Sequence, residues 1–421
     1  MIKERVLIAM VDFKERGAWP MGQATYEMEE LVKACNAEVA GKVMCPAAPP
    51  DPATLVHKGK VEEITGLVPV LTADAVIFSA ELKGRQQREL EQAIGVRVLD
   101  RTQLILDIFA RRATSLEGKL QVELAQLEYR LPRLTGNYEA LSRQGGGIGT
   151  SGPGETKLET DRRRIEERVD KIKKDLEDVT RSRQVKRKKR EDQRIPLISL
   201  VGYTNAGKST LLNTLTDSAT ITKDGLFTTL DSLARHCALP NRQKVVFSDT
   251  VGFMHDLPLK LIEAFKATLE EVQSADLLLH VLDMSNPEFM NYKMSVDKVL
   301  EQLGAADKPV ILVLNKVDLV HDKSVIADVE RKFKDTVVIS AREKFHIGAL
   351  LSLVEDQLAH RIVEVDVVLP MTRMDLVRLA HREGDVILEE YSADGIHLHA
   401  RVPAQRGPMF LGEKSESNAW D

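Results

Sequence analysis

The chain has 421 residues, is 43% hydrophobic and 29% charged, and carries a formal net charge of −5. That length suggests roughly two to four domains of ~100–200 residues each, with enough apolar residues to bury a sizeable core. Cys35, Cys45 and Cys237 form no Cys-x-x-Cys or Cys/His metal spacing, and an odd count argues against a disulfide framework. No run reaches the ~18 apolar residues of a membrane span, so membrane spanning is not indicated. The cysteine usage suits a reducing cytoplasm; a monomer is expected, with peripheral membrane association left open.

Residues 1–100 alternate strand-like and helix-like segments. Val6–Val11, Ala75–Ser79 and Val96–Leu99 read as buried strands, and Tyr26–Cys35 and Gln86–Ile94 as helices. A small α/β unit with a parallel sheet is expected. Its segment Val56-His-Lys-Gly-Lys60 reads as a lysine-rich loop, either an anion site or simply solvated.

From residue 101 to 194 the pattern turns helical. Leu116, Leu120, Leu124, Leu127, Leu131 and Leu134 recur by threes and fours, as do Ile165, Val169, Ile172, Leu176 and Val179. These are two apolar seams at coiled-coil spacing, with Pro132 expected to loosen the end of the first. Between them Gly145-Gly-Gly-Ile-Gly-Thr-Ser-Gly-Pro-Gly154 has six glycines in ten residues and cannot be helical. The economical reading is a long antiparallel helical hairpin with a glycine-rich tip. The tip contains a Gly-x-Gly-x-x-Gly string, but it follows a helical segment, and Pro153 is expected to interrupt the helix a dinucleotide site requires.

Cations flank this tip. Arg162, Arg163 and Arg164 follow it, and eight of the fourteen residues from Arg181 to Arg194 are basic, including Arg187, Lys188, Lys189 and Arg190. A charge run is commonly a solvated face. In a chain that is acidic overall, this density suits contact with a phosphate backbone, and the scarcity of aromatics favours structured RNA over a single strand.

Residues 195–362 carry the most specific signals. Gly202-Tyr-Thr-Asn-Ala-Gly-Lys-Ser209 matches G-x-x-x-x-G-K-[ST] between an apolar strand and a helix that opens at Thr210. Gly202 and Gly207 let the backbone, including Tyr203, Thr204, Asn205 and Ala206, curl its N–H groups toward phosphate. Lys208 reaches the β/γ-phosphates, and Ser209 offers a hydroxyl to Mg²⁺. Asn205 is placed either to stabilise the turn or to help hold a monovalent cation such as K⁺.

Downstream, Asp249-Thr250-Val251-Gly252 is a D-x-x-G string in which Asp249 holds Mg²⁺ through water and the Gly252 N–H senses the γ-phosphate. Phe253 follows where Ras-like proteins place a water-orienting glutamine, so slow intrinsic hydrolysis is expected. Asn315-Lys316-Val317-Asp318 is N-K-x-D. Asp318 accepts from guanine N1–H and N2–H₂, Asn315 braces the loop, the Lys316 stem covers the ring, and burial of the carboxylate penalises adenine. Ser340 and Ala341 follow a short strand, and their backbone is expected to meet the guanine O6, with Arg342 next to them a further nucleotide-binding candidate. Spacing leaves the threonine of the first switch open among Thr220, Thr222, Thr228 and Thr229, with the last two favoured by the Gly-hinged loop that contains them.

Residues 363–421 read as a small α+β domain with strands Val363–Leu369, Val386–Tyr391 and Gly395–Arg401, a helix Met374–Arg382, and a polar tail from Gly412. His397 and His399 share a strand face without an evident carboxylate partner.

The chain resembles the HflX-family GTPases nearly end to end. The resemblance runs through Leu99-Asp-Arg-Thr102, Gly118-Lys-Leu-Gln-Val-Glu-Leu-Ala125, the glycine tip with Gly152-Pro-Gly-Glu-Thr156, Leu158-Glu-Thr-Asp-Arg-Arg-Arg164, the phosphate loop and Asp249-Thr-Val-Gly-Phe253. It implies a P-loop GTPase domain preceded by a small α/β domain and the hairpin. It also implies Mg²⁺ as cofactor, Phe227-Thr-Thr-Leu-Asp231 as the first switch with Thr229 as metal ligand, and a catalytic set of Lys208, Thr229 and Gly252. The implied partner is the large ribosomal subunit and its RNA, approached by the hairpin tip, with ribosome splitting or rescue as the outcome. A GTPase that assists ribosome assembly or RNA processing, or a small-molecule phosphate-loop kinase, would share some of these motifs, although Asn-Lys-Val-Asp disfavours the kinase. His57 stands where the family usually has glycine, so no ligand role carries over to the lysine-rich loop.

Overall fold

The computed structural model describes residues 3–14, 19–47, 49–135, 153–192, 195–216, 233–255, 258, 266–359, 362–403 and 406–411. Most of the glycine tip, the threonines of the first switch together with Phe227, and the tail from Gly412 therefore lie outside the described residues. The chain divides into two compact units, and one division of the sequence between them falls within a helix, after Thr180.

In the first unit, β1 (Arg5–Asp12), β2 (Glu38–Pro46), β3 (Ala75–Phe78) and β4 (Arg97–Asp100) form a parallel sheet in the order β2-β1-β3-β4. Val6 to Val11 are all buried because β1 is central and covered on both faces, which explains the unbroken apolar run. Helices α1 (Met21–Ala34), α2 (Lys58–Leu71) and α3 (Gly84–Ile94) supply the crossovers, and α4 (Arg101–Arg112) follows β4. β2 and α2 are additions to the elements expected from sequence, and α1 starts five residues before Tyr26. β2 escapes pattern reading because its Glu38-Val-Ala-Gly-Lys-Val-Met-Cys-Pro46 alternates poorly and lies at the sheet edge. The lysine-rich segment is the entry to α2, not an open loop, and Lys58 and Lys60 pair with Glu62 and Glu63 of the same helix.

α5 (Leu116–Thr135) and α6 (Pro153–Asp192) follow. Leu120, Leu124, Val169 and Ile172 are buried together with Leu127, Ile165 and Leu176 against them, so the two apolar seams meet. Burying one such side chain contributes roughly 1.5–3 kcal/mol. Arg168 makes a two-pronged contact with Glu123 at 2.7 and 2.7 Å, and Lys173 meets Glu128 at 3.0 Å beside the seam. Pro132 lies in the last turn of α5. One expectation about proline is corrected: Pro153 opens α6 at the first helical position, where no N–H partner is needed.

Asp100 ties α5 to the sheet. Fully buried at the end of β4, it caps α4 by accepting from the Gln103 N–H at 2.8 Å, accepts from the Leu82 N–H at 3.0 Å, and meets the Arg133 guanidinium at 3.1 Å. Arg133 also donates to the Leu82 carbonyl at 2.6 Å and lies 3.4 Å above the Tyr129 ring. The Leu99-Asp-Arg-Thr102 string thus has a structural reason, because its aspartate fixes where the helical region begins.

In the second unit, β5 (Leu197–Gly202), β6 (Leu233–Ala238), β7 (Lys244–Asp249), β8 (Leu277–Asp283), β9 (Val310–Asn315) and β10 (Thr336–Val338) form one sheet, ordered β10-β9-β8-β5-β7-β6. All pairs are parallel except edge strand β6. α7 (Lys208–Leu215), α8 (Lys266–Ser274), α9 (Phe289–Gln302), α10 (Lys323–Lys332) and α11 (Ile347–Ala359) connect or follow the strands. A core of Ile198, Leu200, Leu211, Phe247, Leu279, Val281, Ile311, Val313 and Leu350 fills one side of this sheet. Ligand loops in such folds emerge at the carboxyl ends of the strands, where each motif here begins.

β11 (Ile362–Leu369), β12 (Asp385–Ser392) and β13 (Gly395–Pro403) form the antiparallel sheet β11-β13-β12, with α12 (Met374–Glu383) and α13 (Gly407–Leu411). Ile396, Leu398 and Ala400 are buried, which turns His397 and His399 to the other face. Both histidines do have carboxylate partners, on the neighbouring strand: Asp366 at 2.8 Å from His397 and Glu364 at 2.6 Å from His399. Sequence distance hid these cross-strand pairs. Among the described residues no helix is long and apolar enough to cross a membrane.

Candidate functional site

The phosphate loop joins β5 to α7. Gly202 has φ +153°, and a Cβ there would stand 2.4 Å from the Val281 carbonyl oxygen; Gly207 has φ +96° and lies against the Asn315 side chain. Only glycine fits either position without strain. Asn205 sits at φ 64°, the left-handed conformation that asparagine tolerates best after glycine, so its turn role is evident in the backbone.

Lys208 is buried, and its Nζ donates to the carbonyls of Gly202 at 3.0 Å and Tyr203 at 2.9 Å. Burial pushes its ammonium down to about 8, while Asp249 opposes the shift. Asp249, at the end of β7, is fully buried and accepts from Ser209 Oγ at 2.6 Å. Thr250 Oγ1 donates to the Leu200 carbonyl at 2.7 Å, holding the strand end against β5.

The D-x-x-G segment is stitched to the phosphate loop. The Thr204 N–H donates to the Phe253 carbonyl at 2.8 Å, and the Phe253 N–H donates to the Gly202 carbonyl at 3.1 Å. A Cβ on Gly252 would lie 2.9 Å from Thr204 Cα and 3.2 Å from Lys208 Nζ, so glycine permits the approach. The Phe253 side chain is 1% exposed. It is a core residue and offers nothing to an attacking water.

Asn315, at the end of β9, connects two loops: its Nδ2 donates to the Ala206 carbonyl at 2.8 Å and its Oδ1 accepts from the Ala341 N–H at 3.0 Å. Lys316, at φ 63°, extends to Asp283 Oδ2 at 2.6 Å. Val317 and Asp318 begin a short 3₁₀ turn, and Asp318 is exposed where a buried carboxylate was expected. Ser340 and Ala341 are buried after β10, Thr214 Oγ1 of α7 donates to the Ala341 carbonyl at 2.8 Å, and Arg342 is exposed. The residues from Gly202 to Thr210, from Asp249 to Gly252, from Asn315 to Asp318 and from Ser340 to Arg342 thus gather at the carboxyl ends of the strands of one sheet.

Several contributors escaped the sequence reading. Asp283, which lies in register with Asn315 and pairs with Lys316, could have been found from its place at the strand end. Tyr292, Thr214 and His280 gave no local signal. His280 of β8 is 1% exposed, with Nδ1 3.6 Å from Asp297 Oδ1. Burial first, then Lys293 and Lys208, push its imidazole down to about 3, so it is neutral at physiological pH.

On the helical pair, Arg162, Arg163 and Arg164 are exposed but paired with Glu166, Glu167 and Asp161 of the same helix at 2.9, 3.1 and 3.8 Å. The backbone of Arg187, Lys188, Lys189 and Arg190 continues α6; their side chains lie outside the described residues.

A parallel sheet with a P-loop, a D-x-x-G segment bonded to it and an N-K-x-D loop braced through Asn315 define a guanine-nucleotide-hydrolysing P-loop protein. Three family models match in succession: residues 23–110 fit GTP-binding GTPase N-terminal, 112–190 fit GTP-binding GTPase Middle Region, and 197–316 fit 50S ribosome-binding GTPase. A protein named GTPase HflX from Alkalihalophilus pseudofirmus is 48% identical over 336 residues, covering 80% of this chain and 78% of its own. Others of that name from Lacrimispora saccharolytica, at 45%, and Escherichia coli, at 39%, each align over 379 residues, 90% of this chain and 89% of theirs. The chain belongs to the HflX family of GTPases.

Proposed function

We propose that this GTPase binds the large ribosomal subunit and uses GTP binding and hydrolysis to split or rescue ribosomes. In this reading the backbone of residues 202–210 holds the phosphates, Lys208 neutralises charge on the β/γ oxygens, and the Gly252 N–H reports the γ-phosphate. Ser209 and Asp249 suit a Mg²⁺ site, since a hydroxyl and a carboxylate stand 2.6 Å apart beside the phosphate loop and are hard oxygen donors. Ser209 and Thr229 would hold the ion directly and Asp249 through water. Bound there, Mg²⁺ would supply charge neutralisation to the phosphate oxygens.

Asp318 selects guanine, Asn315 keeps its loop in register with the phosphate loop, and Ala341 presents its backbone to the base. Hydrolysis requires a water oriented by something other than residue 253. The single observation that carries partner dependence is the burial of Phe253 at the glutamine position, which leaves orientation of the water to a group that the ribosome supplies or orders. The description of the family model at residues 197–316 supports the same partner.

The helical pair, its tip and the basic run at Arg187–Arg190 are the surface we assign to ribosomal RNA, with the domain division 1–100, 101–194, 195–362 and 363–421 as the working frame. The test is GTP turnover with and without purified large subunits. Stimulation of about 10³–10⁵, as partners achieve for other GTPases, is the expected scale, and equal rates would remove partner activation.

A further inference from the structure

Tyr203 occupies the first variable position of the phosphate loop, and nothing in phosphate binding requires an aromatic side chain there. Its ring is 5% exposed and stacks on Tyr292 of α9, with centroids 4.1 Å apart and planes 13° from parallel. Its hydroxyl accepts from the His255 N–H at 2.8 Å. Its main chain forms the bridge to Phe253, flanked by the Thr204 and Gly202 hydrogen bonds. One residue therefore touches the segment after Gly252 twice, once by backbone and once by side chain, and rests against a helix that carries no nucleotide motif. Tyr292 is itself held, its hydroxyl accepting from Asn286 Nδ2 at 3.2 Å.

The geometry points to Tyr203 as a positioning residue that fixes residues 252–255 for γ-phosphate sensing and couples their position to helix α9. This rests on the reading of Asp249–Gly252 as the γ-phosphate sensor. Gly252 lies against Thr204 and Lys208 with no space for a Cβ, so the direction of its N–H depends on how residues 253–255 are held. The backbone bridge fixes the segment at Phe253. The tyrosine hydroxyl fixes it two residues later, so the bridge cannot act as a hinge, and the stack against Tyr292 prevents the ring from following if the segment swings away. Displacement of α9 would be felt at Gly252 through the same ring, and release of the segment after hydrolysis would be felt at α9.

The experiment compares Tyr203→Phe, Tyr292→Leu, the double variant and Gly252→Ala, reading the affinity ratio of a non-hydrolysable GTP analogue to GDP, together with kcat and KM for GTP. Tyr203→Phe keeps the ring and its packing and deletes only the hydroxyl, which accepts from the His255 N–H. Loss of one such hydrogen bond should lower the affinity ratio about three- to tenfold and kcat by a similar factor, with KM shifting less than about twofold. A residue that only filled space would leave the ratio at the parent value. The double variant should be no worse than the poorer single, because both substitutions break one linkage. A parent-like ratio in Tyr203→Phe, or losses that multiply in the double variant, overturns the inference. If Gly252→Ala also keeps the parent ratio, the sensor reading fails and the inference with it. If Gly252→Ala collapses the ratio while Tyr203→Phe does not, only the role of Tyr203 is lost.

Discussion

Replacing Asn315 should uncouple the guanine loop from the phosphate loop. Its side chain joins the Ala206 carbonyl at 2.8 Å to the Ala341 N–H at 3.0 Å, and all three residues are 2% exposed. Asn315→Ala removes both bonds and leaves two buried backbone groups without those partners, at about 1–3 kcal/mol each, or roughly 2–6 kcal/mol shared between folding and nucleotide binding. If about 2 kcal/mol appears in binding, GDP affinity falls about 30-fold. Asn315→Asp should be worse than alanine. It keeps an acceptor for Ala341 but sets a carboxylate oxygen against the Ala206 carbonyl, in a site too buried for water to screen. Titration of a fluorescent GDP analogue, with thermal melting of the unliganded protein beside it, separates the two effects. An Asn315→Asp protein that binds GDP within threefold of the parent would refute the reasoning.

Asp318→Asn exchanges an acceptor for a donor, so GTP binding should fall roughly 10- to 100-fold while xanthosine nucleotides gain; unchanged GTP affinity would show the base pocket to be elsewhere. Lys208 stands near 8 in the unliganded protein, and phosphate must raise it, so binding takes up a proton above pH 8. GDP affinity should be flat below pH 8 and fall up to about tenfold per unit above it; a flat profile to pH 9.5 contradicts the assignment. His280 is depressed in the folded state, so the unfolded chain binds the proton first and stability is full above about 6.5 and lost as pH falls toward 3. Urea unfolding of His280→Leu should gain about 2 kcal/mol on the parent between pH 7 and pH 5, and parallel curves would remove the effect. Replacing Arg187, Lys188, Lys189 and Arg190 by glutamine should weaken ribosome binding and flatten its salt dependence by roughly 0.7–0.9 per lost phosphate contact, leaving GDP affinity intact; unchanged binding would place the contact elsewhere.

Residues whose function forces a local backbone were legible in the sequence. Gly202 and Gly207 announce the phosphate loop because no other residue fits there, and the strands leading to Asp249 and Asn315 are continuous apolar runs because both faces of the sheet are covered. The C-terminal strands were equally clear from alternation. β2 was hidden by its position at the sheet edge and its broken pattern, and α2 by two glycines, lysines and an internal Pro69. Contacts between distant residues were beyond a single sequence. Nothing near Asp100 points to Arg133, nothing near Tyr203 points to Tyr292, and the carboxylates facing His397 and His399 lie more than thirty positions away. Asp318 is exposed because it stands in the short 3₁₀ turn after β9 and not in the strand, which the motif alone does not tell.

The central claim is that the nucleotide state controls engagement with the large ribosomal subunit. Cosedimentation of the protein with purified subunits in GTP, GDP and a non-hydrolysable GTP analogue tests it most directly. The account predicts retention on the large subunit with the analogue, weaker retention with GDP, and little on the small subunit in any state. Equal retention in all three nucleotides, or none on the large subunit, would contradict it.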